Sequence, residues 1–187
     1  GFDETQEFFS VEQLTELFTL DRVSKSAAVF DEQKLRWMNG TYLREHPVQE
    51  LTERLEAFTG RTGLAGAAEL CREKIQTLSD FWPLAAFFFD GPIDDPQARE
   101  KFLDGESRLR LQDARAALAG VEPFTTESIE GALREVVERL GVKPKQIFQP
   151  IRVAISGPTI SPGIFESLEL LGREESLSRI DAAIDAA

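Results

Sequence analysis

The residues with the clearest chemical potential in this sequence are hydrogen-bond donors, and they gather near the C-terminal end. Gly157, Pro158, Pro162 and Gly163 crowd the interval between two apolar helical stretches, which sets a particular loop shape rather than a slack one. Ser161 is a good N-cap for the second stretch and Pro162 suits the first helical position. Ile164, Leu168 and Leu171 then form one apolar face, and Gly172 provides the stop. Unbonded backbone N–H groups at the Ser161 end would point out of the loop, toward an oxygen-rich ligand. The same spacing also describes a plain helix hairpin inside a bundle.

Other chemistries lack their residues. One cysteine, Cys71, excludes an internal disulfide and a cysteine-based zinc site. The one histidine, His46, stands beside Pro47 at a helix start and reads as an exposed linker residue rather than a base. The 33 acidic residues are scattered along helices, which describes a solvated face and not a paired-carboxylate site. No glycine-rich loop follows a strand, and no Cys/His cluster has metal-ligand spacing. No catalytic residue, metal ligand or cofactor is therefore expected in this chain.

The elements that must position the loop are helical almost throughout. Ser10 with Gln13 has a capping-box pattern before Leu14, Leu17 and Phe18. Asp31 opens a helix carrying Leu35, Trp37 and Met38 that should stop at Asn39-Gly40, and Pro47 opens another that closes at Gly60. The stretch from Leu64 to Leu78 is expected as one helix, and Phe81 to Phe89 as a buried helix begun or kinked near Pro83. Those clustered rings read as packing, with an aromatic platform for bases as the alternative. Turn residues from Gly91 to Pro96 mark a linker between two subdomains. Helices at about 96–103 and 107–119 follow, then an amphipathic one ended by Gly141 and one started by Pro144 that Pro150 should bend, and a last one through Leu177, Ile180 and Ile184. No alternating strand is longer than Ala27 to Phe30. The expected fold is all-α, a two-part helical bundle.

Composition sets limits on partners. The 187 residues are 42% hydrophobic and 29% charged, enough to bury a core. The longest apolar run, nine residues from Phe81 to Phe89, cannot span a membrane; no signal peptide is visible, and a cytoplasmic location is the simplest fit. The chain opens on Gly1 with its only methionine at Met38, which reads as an excised or processed piece. A net charge of −12 argues against nucleic acid, since phosphate neutralisation supplies most non-specific affinity. An acidic protein can still bind RNA where its basic residues cluster and an unstacked loop is read by its base edges. The dense basic block is Arg22, Lys25, Lys34, Arg36 and Arg44.

Two motifs carry a resemblance. Pro150, Arg152, Ala154, Ser156, Gly157, Ser161, Pro162, Gly163, Phe165, Leu170, Leu171 and Gly172 fit a pattern that recurs near the end of bacterial glutamyl-tRNA synthetases. The run from Arg22 to Asp31, followed by Lys34 to Gly40 and Tyr42, resembles the segment just after that family's catalytic half. The resemblance runs from about Phe9 to the end. It implies a helical cage that reads the anticodon of tRNA(Glu), with residues 1–45 as a stem-contact segment, 46–92 as a first anticodon-binding subdomain and 93–187 as a second. ATP and magnesium would belong to the catalytic half, which is absent here; a monomer is expected. The stem or backbone contacts implied are Arg22, Lys25, Lys34, Arg36, Trp37 and Arg44, with Trp37 and Phe30 as the alternative core residues. The anticodon-facing positions fall on Lys74, Arg152, Ser161, Pro162 and Ile164. Where some members carry an arginine before a Thr-Leu pair, this chain has Lys74 before Thr77-Leu78, and lysine cannot make the planar two-pronged contact. That leaves open whether tRNA(Gln) is also accepted.

Val23-Ser-Lys-Ser26 is similar to the lysine signature with which class I synthetases hold ATP phosphates, but in this family that signature lies upstream, with the nucleotide-binding sheet. Composition alone would favour a different class of function, a helical protein–protein adaptor without RNA contact. The two are told apart by whether Arg22, Lys25, Arg36, Arg44, Lys74 and Arg152 share one face. The isolated chain is expected to show neither aminoacylation nor ATP–pyrophosphate exchange, and measurable exchange by the pure chain would overturn that.

Overall fold

A computed structural model describes residues 8–23, 27 and 29–186, with Arg22 described through its backbone alone. The described residues are helical and contain no strand, as the apolar periodicity requires. The α-helices are α1 Val11–Leu17, α2 Glu32–Glu45, α3 Val48–Thr59, α4 Ala65–Cys71, α5 Phe81–Ala85 and α6 Phe87–Asp90. After the 91–95 segment come α7 Pro96–Phe102, α8 Gly105–Ala119, α9 Thr126–Leu140, α10 Lys145–Ser156, α11 Ile164–Leu171 and α12 Arg173–Ala186.

Local chemistry explains most boundaries. Gln13 N–H donates to Ser10 Oγ at 3.2 Å and Ser10 N–H to Gln13 Oε1 at 2.8 Å, a capping box at the start of α1. Asp31, Asp95, Asp104 and Thr125 cap α2, α7, α8 and α9 through their side-chain oxygens. Gly60 and Gly141 end α3 and α9 in the left-handed region, which a Cβ would penalise.

Two expectations fail for identifiable reasons. Helix α2 does not stop at Asn39-Gly40 but continues to Glu45. Gly40 serves a close approach instead, because a Cβ there would lie 3.3 Å from the Gln76 Cα and 3.2 Å from Arg44 Nη1. The helix from Leu64 ends early: α4 tightens into a 3₁₀ turn at Arg72–Lys74, and Ile75 is extended. There Asp80 accepts from the Gln76 and Thr77 N–H groups at 3.0 and 2.9 Å, which stabilises a turn against a continued helix. Helix α5 starts at Phe81, so Pro83 sits in its first turn, where its missing N–H costs nothing.

Burial is divided between two apolar clusters. Leu51, Leu55, Leu64, Ala68, Cys71, Ile75 and Phe81 form one, under α3–α5. Leu111, Leu118, Ile129, Leu133, Ile151, Leu168 and Ile180 anchor the other, under α8–α12. Burying one such Leu or Ile side chain contributes about 1.5–3 kcal/mol. The run 81–89 is packing, with Phe81 and Phe87 fully buried and Trp82 stacked on Phe89 at 5.6 Å between ring centroids. Helix α1 buries none of its residues among those described, and Leu14, Leu17 and Phe18 stay exposed.

The joint between the clusters is polar. Arg179 of α12 is 7% exposed and donates from Nη1 to the carbonyls of Phe87 at 2.7 Å and Ile155 at 2.8 Å, while its Nε reaches Glu175 at 2.7 Å. These carbonyls belong to the last turns of α6 and α10, which have no helical partner, so one guanidinium satisfies two helix ends. Arg179→Ala would strand both and is expected to cost about 2–4 kcal/mol. Arg134→Ala, which removes only an exposed pair with Glu130, should cost less than about 1 kcal/mol in the same urea titration.

Candidate nucleic-acid interface

Helix α10 delivers Arg152 and Ser156 to the start of the 157–163 loop. Ser156, fully buried, donates to the Arg152 carbonyl at 2.8 Å, and the chain then turns at Gly157 with φ +94°. A Cβ at Gly157 would overlap the Ile93 carbonyl oxygen and come within 2.8 Å of the Ile93 nitrogen. The glycine thus lets the 91–95 segment cross the loop, sealed by Ile93 N–H donating to Ser156 O at 2.9 Å. Gln149 Nε2 pins the far side by donating to Thr159 O at 2.9 Å, leaving Ile160 at the tip 72% exposed.

Past that tip the loop turns inward onto two cations. Arg152 Nη1 donates to Ser161 O at 3.2 Å, to Pro162 O at 2.8 Å and to Ser161 Oγ. Lys74 Nζ arrives from the 72–74 turn and donates to the same Ser161 carbonyl at 2.5 Å, across 87 residues of sequence. Ser161 is not the N-cap of α11. Its hydroxyl is taken by Arg152 and in turn donates to Pro162 O at 3.1 Å, and the cap position falls to Gly163. Glu166 folds back against Gly163, and its charge faces both cations.

The electrostatics follow. Burial, then the neighbouring Arg152 charge, pushes Lys74 below the usual lysine range, against a pull upward from Cys71 and Glu166. Arg152 is also lowered by burial, opposed by Glu166, and stays charged. Burial pushes the Cys71 thiol up to about 12, which removes it as a nucleophile. Among the described residues neither Lys74 nor Arg152 has a carboxylate within ion-pair distance. Arg152 Nε and Nη2 take no protein acceptor there and keep some access to solvent. Donors without acceptors, carrying positive charge, suit a ligand rich in oxygen and ring-nitrogen acceptors.

The 75–80 segment connects this site to α2. Burial alone would raise the Asp80 carboxyl, but hydrogen bonds from Gln76, Thr77 and Arg36 outweigh it and hold it below the ordinary range. Arg36 Nη2 donates to both Asp80 oxygens, at 3.1 and 3.2 Å, and Asn39 Nδ2 donates to Gln76 O. Arg36 therefore braces the turn that carries Lys74 rather than standing free. Arg44 donates to Thr41 Oγ1 at 3.1 Å and lies over Gly40, next to Gln76.

The contacts thus bring Arg36, Arg44, Lys74, Arg152, Ser161 and Pro162 into one continuous series. Ile164 departs from it, because its side chain packs in the larger core, whereas Ser161 and Pro162, also buried, stay in the series through their bonds to Arg152. Lys34 sits in the first turn of α2, where its N–H donates to Asp31. Neither Trp37 nor Phe30 is core: Trp37 is 41% exposed, with the Phe8 ring 5.4 Å away, and Phe30 is 77% exposed. Lys25 and the side chain of Arg22 lie outside the described residues. Asp80 and Glu166 were not expected at the site. Asp80 had a signal, since Thr77 three residues before an acid is a capping-box pattern, and Thr77 and Asp80 do form one. Among the described residues no group of three or more His, Cys, Asp or Glu could hold a metal, and no helix is long and apolar enough to cross a membrane.

The class defined here is an all-helical module that brings two cations, Lys74 and Arg152, together beside an exposed loop tip. Residues 50–184 match the family described as an anticodon binding domain, and the chain belongs to that family. Glutamate–tRNA ligase 1 of Erythrobacter litoralis is 41% identical over 182 residues, which cover 95% of this chain and 38% of that protein. Glutamate–tRNA ligase 2 of Caldicellulosiruptor saccharolyticus is 35% identical over 189 residues, covering 95% and 39%. The chain spans about two fifths of the length of these curated relatives. The fold is that of a crystallised glutamate tRNA ligase from Elizabethkingia meningosepticum in complex with its amino acid, with a TM-score of 0.83 at 24% identity, over 95% of this chain and 37% of that one.

The two loop glycines should separate on substitution. Gly157→Ala combines positive φ with a backbone overlap that cannot relax, and should cost about 2–3 kcal/mol or more by thermal unfolding. Gly163→Ala displaces only the end of the Glu166 side chain at an ordinary φ of −52°, and should stay within about 1 kcal/mol of neutral.

Proposed function

We propose that this chain is the anticodon-reading portion of a bacterial glutamate–tRNA ligase and carries no catalytic step itself. The observation that supports this reading best is the meeting of Lys74 and Arg152 at Ser161, where two unpaired cations offer open donors beside an exposed loop tip. An unstacked base presents acceptors on its edge, and a base with the wrong edge leaves a buried donor unpaired at about 1–3 kcal/mol. Arg152 supplies the fork that tells bases apart. Lys74 supplies a point charge already drawn to a carbonyl, which reads a base less strictly than an arginine would and makes tRNA(Gln) a second candidate beside tRNA(Glu).

In this reading residues 1–45 meet the tRNA stem, and 46–92 and 93–187 form the two anticodon-binding subdomains. Amino-acid activation with ATP and magnesium is assigned to the part of the ligase beyond this chain, and the ligase to the cytoplasm. Family membership and the similarity to glutamate–tRNA ligases support the substrate class.

Competition between cognate and anticodon-swapped tRNA transcripts tests the assignment. Arg152→Ala is expected to shrink the preference for the cognate anticodon, whereas Lys25→Ala should weaken both RNAs alike. Roughly three to five neutralised phosphates give a log–log salt slope near −2 to −4. Equal losses on both RNAs with Arg152→Ala would reduce Arg152 to a backbone clamp, and a slope near zero would favour an adaptor without RNA contact.

A further inference from the structure

A second cationic feature lies apart from the Lys74–Arg152 site. A pocket of about 270 Å³ opens where the end of α7 and the first half of α8 meet the start of α10, and Lys101, Arg110, Lys143 and Lys145 line it. Four of the 21 basic residues therefore surround one small cavity in a protein of net charge −12. One carboxylate, Asp104, shares the lining, and it is already engaged. It caps α8 by accepting from Ser107 N–H at 2.8 Å, and that bond holds it below the ordinary carboxylate range. Arg110 is paired with Glu106 at 2.9 Å, on a side chain that is 79% exposed. Lys143 and Lys145 have no ion pair among the described residues, and Lys101 rests 5.4 Å from the Phe102 ring centroid.

Like charges repel, so a solvated acidic surface has no reason to gather cations around a concavity without an anion to fill it. By contrast, the cavity between α4 and α11 is lined by Glu69, Glu166 and Glu169 and no cation. The positive end of the twelve-residue α10 adds the same sign at the first pocket. Phe102 and Pro150 supply apolar lining beneath the charged rim.

We infer that this pocket binds a phosphoryl group, and that it is separate from the site at Ser161. Gln146 and Pro150 face the pocket from positions one turn apart on α10, whereas Gln149 and Arg152 hold the 157–163 loop from positions about a third of a turn round the helix. One phosphate cannot serve both. The group has two possible sources, the backbone of a bound RNA or a small free phosphate compound, and both present the same oxygens to the same cations. The inference does not depend on the anticodon reading.

Two titrations of the 187-residue chain test it, with Lys143→Gln/Lys145→Gln as the variant and Arg134→Gln/Arg139→Gln as a control for lost charge. Inorganic pyrophosphate added to the ¹⁵N-labelled chain should shift amides in 101–110 and 143–146 saturably. The pocket variant should weaken that binding at least tenfold and the control should not. With a tRNA transcript, an RNA source predicts that the salt slope of the pocket variant falls by about 1.4 to 1.8, at about 0.7–0.9 for each of two lost contacts, with anticodon preference unchanged. A response to pyrophosphate alone assigns the pocket to a free phosphate compound, and a response with RNA assigns it to the nucleic-acid backbone. If neither titration responds, or if the control loses as much as the pocket variant, the site does not exist.

Discussion

The carbonyl oxygen of Ser161 accepts from two cations that arrive from elements bordering different cores, and the arrangement of the loop depends on it. Arg152 reaches it from α10, in the larger core, and Lys74 from the turn that closes α4, in the smaller. Two positive groups so close would repel in the absence of that shared acceptor and of Glu166 facing them. The contact therefore sets the direction of the Arg152 fork and ties one core to the other. Arg179 does a similar service at the back of the joint, where it holds the ends of α6 and α10 together. Gly157 is the steric condition for both, since any side chain there would push the crossing segment at Ile93 away.

Charge distribution reconciles an acidic protein with an anionic partner. Most arginines here are spent on nearby carboxylates, as with Arg61 and Asp90, Arg115 and Asp181, or Arg139 and Asp113. Such exposed pairs add little stability, but they neutralise the cations they contain. Lys74 and Arg152, which have no ion pair among the described residues, are held in place by the Ser161 carbonyl. Net charge describes long-range repulsion and solubility, whereas recognition of an unstacked base depends on a few donors at short range. Arg36 illustrates the division: paired with Asp80, it braces the Lys74 turn and contributes through geometry instead of its own charge.

Exposed apolar residues concentrate at the other end of the described chain. Val11, Leu20, Val29 and Phe30 all face outward, and α1 has no core of its own. The chain covers about two fifths of the relatives it matches, so these residues are compared with proteins that carry much more structure. The anticodon-binding family match begins at residue 50, beyond this region.

The sequence by itself determined the all-helical class, the helix starts set by Ser10, Asp31, Pro47 and Pro144, and the stops at Gly60, Gly141 and Gly172, because caps and helix periodicity are local properties. It also marked the 149–172 motif and singled out Arg152 and Lys74 individually. Tertiary structure decided what each residue does there. Ser161 reads as a helix cap on local grounds, yet Arg152 claims its hydroxyl and the cap moves to Gly163. Gly40 reads as a helix stop, yet the approach of Gln76 makes it an interior close-contact glycine. Ile164 reads as a ligand-facing residue by motif, yet it is drawn into the core with Leu168. Each reversal has a cause outside the helix pattern itself: Arg152 takes the Ser161 hydroxyl, the Gln76 segment approaches Gly40, and the larger core draws in Ile164, and each of these tertiary contacts exceeds the small local preference.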